Sequence, residues 1–241
     1  MLRERTLQIL RAYWSAHFGC PPKQLFASAL ELVAHGGELI GYHGGFGLFR
    51  DGAAVVSLPP DADSALLAPL ANGCTPEELG AALQPVAART IGPAWLGYTT
   101  AISPPTHSVR VLDPSDQPAL ERFQQACDAV EWDHGGSSLE NPCAGVFADG
   151  ELVSLAGYEI WGGAIAHISV VTHPAHRNHG AGRSVVAGIA QHAIRDGLLP
   201  QYRTLQANLP SIRIAEALGF TAYATSMAVR FRPPTVESSA V

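Results

Sequence analysis

Ile168-Ser169-Val170-Val171-Thr172-His173-Pro174-Ala175-His176-Arg177-Asn178-His179-Gly180-Ala181-Gly182-Arg183-Ser184 is the stretch on which the reading of this chain turns. The apolar run into Thr172 reads as a strand, the next residues to Gly180 as a loop, and Ala181 onward as the start of a helix. A loop at a helix N-terminus presents backbone N–H groups that have no intrahelical acceptor, together with the positive end of the helix dipole. Both suit a pyrophosphate. Gly180 and Gly182 remove side chains that would hold phosphate oxygens off the backbone, and Arg177 can organise the loop or add positive charge.

Working outward, the helix runs to about Arg195, with Val185, Val186, Ile189, Ala193 and Ile194 on one face and Gly197 as its terminator. Upstream, three strands form a meander. Cys143 to Ala148 and Glu151 to Ile160 are joined by Asp149-Gly150, and Gly162-Gly163 turns the chain into Ala164 to Thr172. Ser108 to Leu112 alternates as a strand, Asp116 is expected to cap a helix reaching about Val130, and residues 131–142 read as a polar loop. Downstream come a strand near 202–207, a helix from Ser211 to Leu218 ended by Gly219, and a strand from Phe220 to Phe231.

The N-terminal third opens with a helix over 5–17, broken at Pro21-Pro22, then apolar stretches near 29–34, 44–50 and 53–58. Asp51-Gly52 marks a hairpin between the last two. Helical patterns follow at 63–71 and 76–88, the second with Thr75 and Pro76 as N-cap and N1, and a strand at 92–100 closes the region. Pro104-Pro105 is the expected boundary. The spacing predicts an N-terminal α/β domain over 1–105, a second domain over 106–232 and a disordered tail over 233–241.

Composition narrows the class. With 241 residues, 47% hydrophobic and 15% charged, the chain reads as soluble and globular, and its apolar runs break well before 18 residues. The mixed charges of Met1 to Arg5 lead into an amphipathic helix, not a signal peptide, so a cytoplasmic location and no membrane partner are expected. The net charge is −6 and Lys23 is the only lysine, which argues against a nucleic-acid partner. Cys20, Cys74, Cys127 and Cys143 form no metal or disulfide pattern. His173, His176 and His179 recur every third residue, but solvated loop histidines outweigh a metal site there, and no metal is expected. Gly41 to Gly47 has phosphate-loop composition without a following helix, so a hairpin or bulge is favoured.

The string Arg177-x-x-Gly180-x-Gly182, after a strand and before a helix, resembles the Arg/Gln-x-x-Gly-x-Gly/Ala signature of the GNAT N-acetyltransferase family. Two further features are similar to that family: the strand exit Thr172-His173-Pro174, and Asn208-Leu209-Pro210-Ser211 leading to Leu218-Gly219-Phe220. The resemblance covers about half the chain. It implies an α/β, α+β-type mixed-sheet fold: a C-terminal GNAT-type acyl-CoA domain beside a smaller α/β N-terminal domain, which is open to reading as a divergent half-copy. It implies acetyl-CoA as co-substrate, with strand 164–172 splaying from strand 202–207 around the pantetheine arm. Backbone groups of Val170, Val171 and Thr172 would bond that arm. Arg177, Asn178, His179, Gly180, Ala181, Gly182, Arg183 and Ser184 would hold the pyrophosphate, and Asn208 and Ser211 the pantetheine or adenosine side.

Many relatives place a tyrosine where this chain has Ala215, so the proton donor to the leaving thiolate is unassigned, Tyr223 or a water being the substitutes. Glu159 and His167 are the candidate catalytic bases because both lie on strands expected to line the cleft. Glu131, Asp133 and His134 sit in the segment expected to cover it. Glu159 and His167 are also readable as satisfied polar residues, Trp132 and Trp161 as walls of a substrate pocket or as buried anchors, and Cys143 as an inert thiol. Two functions stay open: transfer of an acetyl group to a primary amine of a small molecule or peptide by direct attack in a ternary complex, or a non-catalytic acyl-CoA-binding and sensing module. The N-terminal domain is open to covering the cleft or to pairing copies into a homodimer.

Overall fold

The computed structural model describes residues 2–70 and 73–233. Ala71 of the expected 63–71 helix, and residues 234–241 of the expected tail, lie outside the described residues. In chain order the elements are α1 (Glu4–Phe18), β1 (Leu30–Ala34), β2 (Gly44–Arg50), β3 (Ala53–Leu58), α2 (Pro76–Leu83) and β4 (Ala87–Tyr98). There follow β5 (Arg110–Val111), α3 (Gln117–Ala126), α4 (Ala129–Gly135), β6 (Cys143–Ala148), β7 (Glu151–Trp161) and β8 (Ile165–Thr172). The last are α5 (Ala181–Arg195), β9 (Leu199–Leu205), α6 (Leu209–Leu218) and β10 (Thr221–Phe231). No helix among the described residues is long and apolar enough to cross a membrane.

This is a mixed α/β fold made of two compact units. One comprises the chain to Ile9 with Leu96–Tyr223; the other comprises Leu10–Trp95 and the chain from Ala224 on. In the latter the strand order is β1-β3-β2-β10, with β1 parallel to β3 and the other pairs antiparallel. Asp51 and Gly52 both take positive φ (52° and 81°), as a tight hairpin between right-twisted strands requires. Thr75 and Glu78 close a reciprocal capping box on α2. Leu79 and Leu83 of α2 then pack with Phe49, Val56 and Val229 in the core of that unit.

In the unit built on Leu96–Tyr223 the order is β9-β8-β7-β6-β5, with β9 parallel to β8 and the rest antiparallel. Period-two alternation along β7 and β8 sorts side chains between two helical layers. Leu155 and Val171 share a core with Leu120 and Phe123 of α3. Residues of opposite parity meet α5, as where the Tyr158 hydroxyl donates to Asp196 just past its end at 2.9 Å. The stripe of α5 is buried as its spacing predicts, with Val185, Val186, Ile189 and Ala193 all at 0% exposure.

The helix expected over 76–88 ends at Leu83, with β4 starting at Ala87, and the strand expected near 202–207 starts at Leu199; two further expectations also change. Asp116 does not cap the helix it precedes: its carboxylate takes both guanidinium nitrogens of Arg110, at 2.6 and 2.5 Å, and the N–H of Asp113. A bidentate charged partner outcompetes the helix amides, and the Arg110 hydrogen bond holds the Asp116 carboxyl below its ordinary range. The segment read as a loop from 131 contains most of α4. Cys127 takes an extended conformation that ends α3, and the Asp128 carboxylate accepts the N–H groups of Val130 and Glu131, which starts a new helix.

Leu155 is fully buried between β6 and β8. Leu155→Ala is therefore expected to cost about 2–5 kcal/mol, read as a lower urea midpoint with an unchanged slope.

Candidate functional site

The loop after β8 is shaped by its own hydrogen bonds. His173 Nδ1 accepts the N–H of Ala175 at 3.2 Å, so this imidazole serves the turn. Among the described residues no group of three or more His, Cys, Asp or Glu side chains is placed to hold a metal ion. Asn178 and Gly180 adopt left-handed conformations (φ 63° and 85°), which turn the chain into α5. The first amide with an acceptor is Ser184, bonded to the carbonyl of Gly180 at 3.0 Å. None of the amides of residues 178–183 donates to a protein acceptor among the described residues. That is the orphan-donor cluster of a helix start, with the positive end of the 15-residue α5 behind it.

Gly182 is required by proximity: a Cβ there would lie 2.8 Å from Thr172 Oγ1, which itself bonds Ser154 Oγ at 2.8 Å. The absent side chain lets α5 start against the end of β8. Arg177 bridges its surroundings, with Nε donating to the Thr172 carbonyl at 3.2 Å and Nη2 to the Glu131 carboxylate on α4. Ser184 is fully buried and its hydroxyl is engaged by Thr106 and His107, so only its position, not its side chain, belongs to the helix mouth. Asn178 and His179 are exposed, Ala181 is buried, and Arg183 reaches the Ala217 carbonyl on α6 at 3.3 Å.

The paired residues of β8 and β9 run from Ile165–Leu199 to Ile168–Tyr202, and no pair is registered beyond. Val170, Val171 and Thr172 are paired on their other side with Ala156, Leu155 and Ser154 of β7. The β8 edge toward β9 is thus open over its last residues. Asn208 caps α6, its side chain accepting the Ser211 N–H at 3.3 Å, and Ser211 Oγ lies 2.9 Å from the Tyr202 hydroxyl. Burial pushes the Tyr202 phenol up from its ordinary range. Ala215 is fully buried, and Tyr223 stacks edge-on against Tyr98 at 5.5 Å.

On the α3/α4 side of the sheet lies a cavity of about 540 Å³. Glu159 and His167 face each other across the β7–β8 ladder and both line it. Trp132, Asp133, His134 and Trp161 line it too, as do Ser137 and Ser169, whose hydroxyls are 2.7 Å apart. Glu131 is set apart, bound to Arg177. The Trp161 indole stacks flat on the His167 ring, 3.8 Å between centroids, and its Nε1 donates to Glu159 at 3.3 Å.

A polar chain fixes the imidazole. Gln201, fully buried, donates from Nε2 to the Tyr98 hydroxyl and accepts the His167 Nδ1 proton on Oε1 at 2.8 Å. Nε2 therefore carries the lone pair, and among the described residues it makes no hydrogen bond. Burial lowers the His167 pKa to about 4 against the support of Gln201, so the ring is neutral at physiological pH. Cys143, by contrast, is buried with its thiol pushed up to about 11, the state of an inert core cysteine. Gln201 and Tyr98 are absent from the sequence reading, which starts that strand at 202; a glutamine inside an apolar strand run is the signal that could have marked it.

A cluster of acceptor-free amides at a helix start and a cavity lined by carboxylates, indoles and a lone-pair imidazole are thus set on strands of one α/β sheet. Residues 108–220 match the family described as "Acetyltransferase (GNAT) family". Solved structures agree at the level of fold. A putative GNAT acetyltransferase from Novosphingobium aromaticivorans DSM 12444 is similar at 22% identity and TM-score 0.50, over 59% of this chain and 65% of that one. A GNAT-family acetyltransferase from Colwellia psychrerythraea is similar at 13% identity and TM-score 0.51, over 96% of this chain and 98% of that one. No curated protein matches the chain.

The depressed His167 pKa makes a stability prediction. Between about pH 4 and the ordinary value of 6.5, the unfolded chain binds a proton that the native ring refuses, so native stability falls as pH is lowered through this window. The loss reaches about 3 kcal/mol below pH 4. His167→Asn, which retains an N–H for Gln201, is expected to lose correspondingly less between pH 7 and pH 4 in urea titrations. Parallel curves would refute the assignment.

Proposed function

We propose that this chain transfers an acetyl group from acetyl-CoA to a primary amine by direct attack within a ternary complex. The observation that carries the reading is the run of acceptor-free amides over 178–183 at the mouth of α5, where Gly182 lets the helix start abut the end of β8. All the groups invoked except Tyr98 fall within 106–232, the expected catalytic domain. The residues present fit the donor: amides and the helix dipole at 178–183 suit its pyrophosphate, and the open edge of Val170–Thr172 suits the amide-bearing pantetheine arm. Acetyl-CoA supplies the activated acyl group and a thiolate leaving group when bound.

The chain's own residues then have distinct tasks. Arg177, held by Thr172 and Glu131, fixes the loop. A backbone N–H on the open β8 edge stabilises negative charge developing on the acyl oxygen. Glu159 holds the incoming ammonium, and His167 Nε2, already unprotonated, accepts the proton that must leave before nitrogen can attack. Tyr202, paired with Ser211 beside the end of the β8–β9 ladder and protonated at neutral pH, is the hydroxyl best placed to return a proton to the leaving sulfur, because buried Ala215 offers none. That same alanine favours the alternative, an acyl-CoA-binding module without turnover. Thiol release with any amine separates the two.

His179→Glu tests the cradle without harming the fold, because a carboxylate at an exposed position beside a helix N-terminus favours the helix while repelling a phosphate. Acetyl-CoA at about 100 times its Kd is expected to raise the melting temperature of the native chain by on the order of 5 to 10 °C. The variant is expected to bind at least about tenfold more weakly in calorimetry. Absence of binding to the native chain would end the acyl-transfer reading.

The second expectation concerns pH. Because burial sets His167 near 4, the kcat/KM profile for amine acetylation should show no limb between pH 6 and 7, staying level until the ammonium itself titrates at higher pH. An inflection near 6.5 that vanishes in His167→Asn would overturn the proton-acceptor role.

A further inference from the structure

Resting on the acyl-transfer reading, the cavity on the α3/α4 side also says which amine it accepts. Its lining includes two carboxylates, Asp133 from α4 and Glu159 from β7, and neither arginine nor lysine. Neither carboxylate is ion-paired among the described residues: the pairs formed nearby are Arg177 with Glu131 and Arg110 with Asp116. Arg203 on β9 acts on His167 through space and does not line the cavity. The neutral His167 adds no positive charge, and His134 Nδ1 is turned to the Val130 carbonyl at 2.7 Å. Two indoles complete the walls, and their π faces attract cations and repel anions.

Glu159 stands opposite His167 and serves the reacting nitrogen. Asp133, on a different element, has no part in that proton transfer. We infer that the acceptor is a small primary amine carrying a second positive charge and no anionic group, a diamine in chemical class, with Asp133 and the Trp132 indole receiving the end that does not react. An acceptor bearing a carboxylate would meet two like charges with no cation in the lining to answer them, a mismatch that costs a substrate affinity and rate together.

Putrescine, pentylamine and δ-aminovalerate test this directly, since they share a four-methylene primary amine and differ in the charge at the far end. Binding of each to the intact chain is measured by calorimetry without acetyl-CoA, and kcat/KM by thiol release with it. Putrescine is expected to exceed pentylamine by about tenfold or more in both readouts, the effect of about 1.4 kcal/mol of charge complementarity, and δ-aminovalerate to fall below pentylamine. Asp133→Asn should close the gap between putrescine and pentylamine, and Asp133→Lys should place δ-aminovalerate above putrescine. If pentylamine or δ-aminovalerate equals or outranks putrescine in the native chain, or if both Asp133 variants keep the native order, the inference fails while acetyl transfer stands. If putrescine binds selectively and no amine is turned over, the cavity's preference for a diamine stands and the transfer reading, with the acceptor role, fails.

Discussion

Most of this site depends on one geometric constraint, the two-residue alternation of β7 and β8 in a fixed antiparallel register. Pairing Glu159 with His167 and Leu155 with Val171 sends one parity to the α3/α4 side, where apolar members make a core and polar members make a cavity. The other parity faces α5, and Thr172 on that side meets the glycine at the helix start. A slip of one residue would exchange the two sets and bury Glu159 under α5. Large apolar side chains at 155, 168 and 171 hold the register, so the site's polar residues need contribute little to holding it.

The sequence was most legible where backbone chemistry is local. Asp51-Gly52, Asp149-Gly150, the glycine ends of α5 and α6, and the strand-loop-helix unit around 168–184 depend on φ preferences and short-range periodicity, and all appear where the residues indicate. What failed was decided by competition between partners. Asp116 is a sound N-cap by type, but Arg110, six residues upstream across the short turn between β5 and α3, takes its carboxylate. The start of α4 was in principle readable, since Asp128 and Glu131 have capping spacing; the polar composition of 131–142 masked it.

The candidate site was legible in its parts and not in its connections. Glu159, His167, Asp133, His134 and both tryptophans were named from their elements, and the cavity gathers them. Nothing in local sequence tells that Glu131 leaves that group for Arg177, or that Gln201 and Tyr98 set the tautomer of His167. Those are contacts between residues 34 to 103 positions apart, fixed by strand order.

The contact between Gly182 and Thr172, with Ser184 locked to Thr106 and His107, has a kinetic meaning as well. The helix mouth is braced on two sides by the folded domain, so its donors point outward before any ligand arrives. Under the proposed function, an anion bound there would leave little of this loop to be ordered. The α4 segment is joined to the same loop by a half-exposed ion pair. Under the proposed transfer reaction, discrimination in time would therefore fall to the acceptor side, since the donor would dock onto a surface already formed.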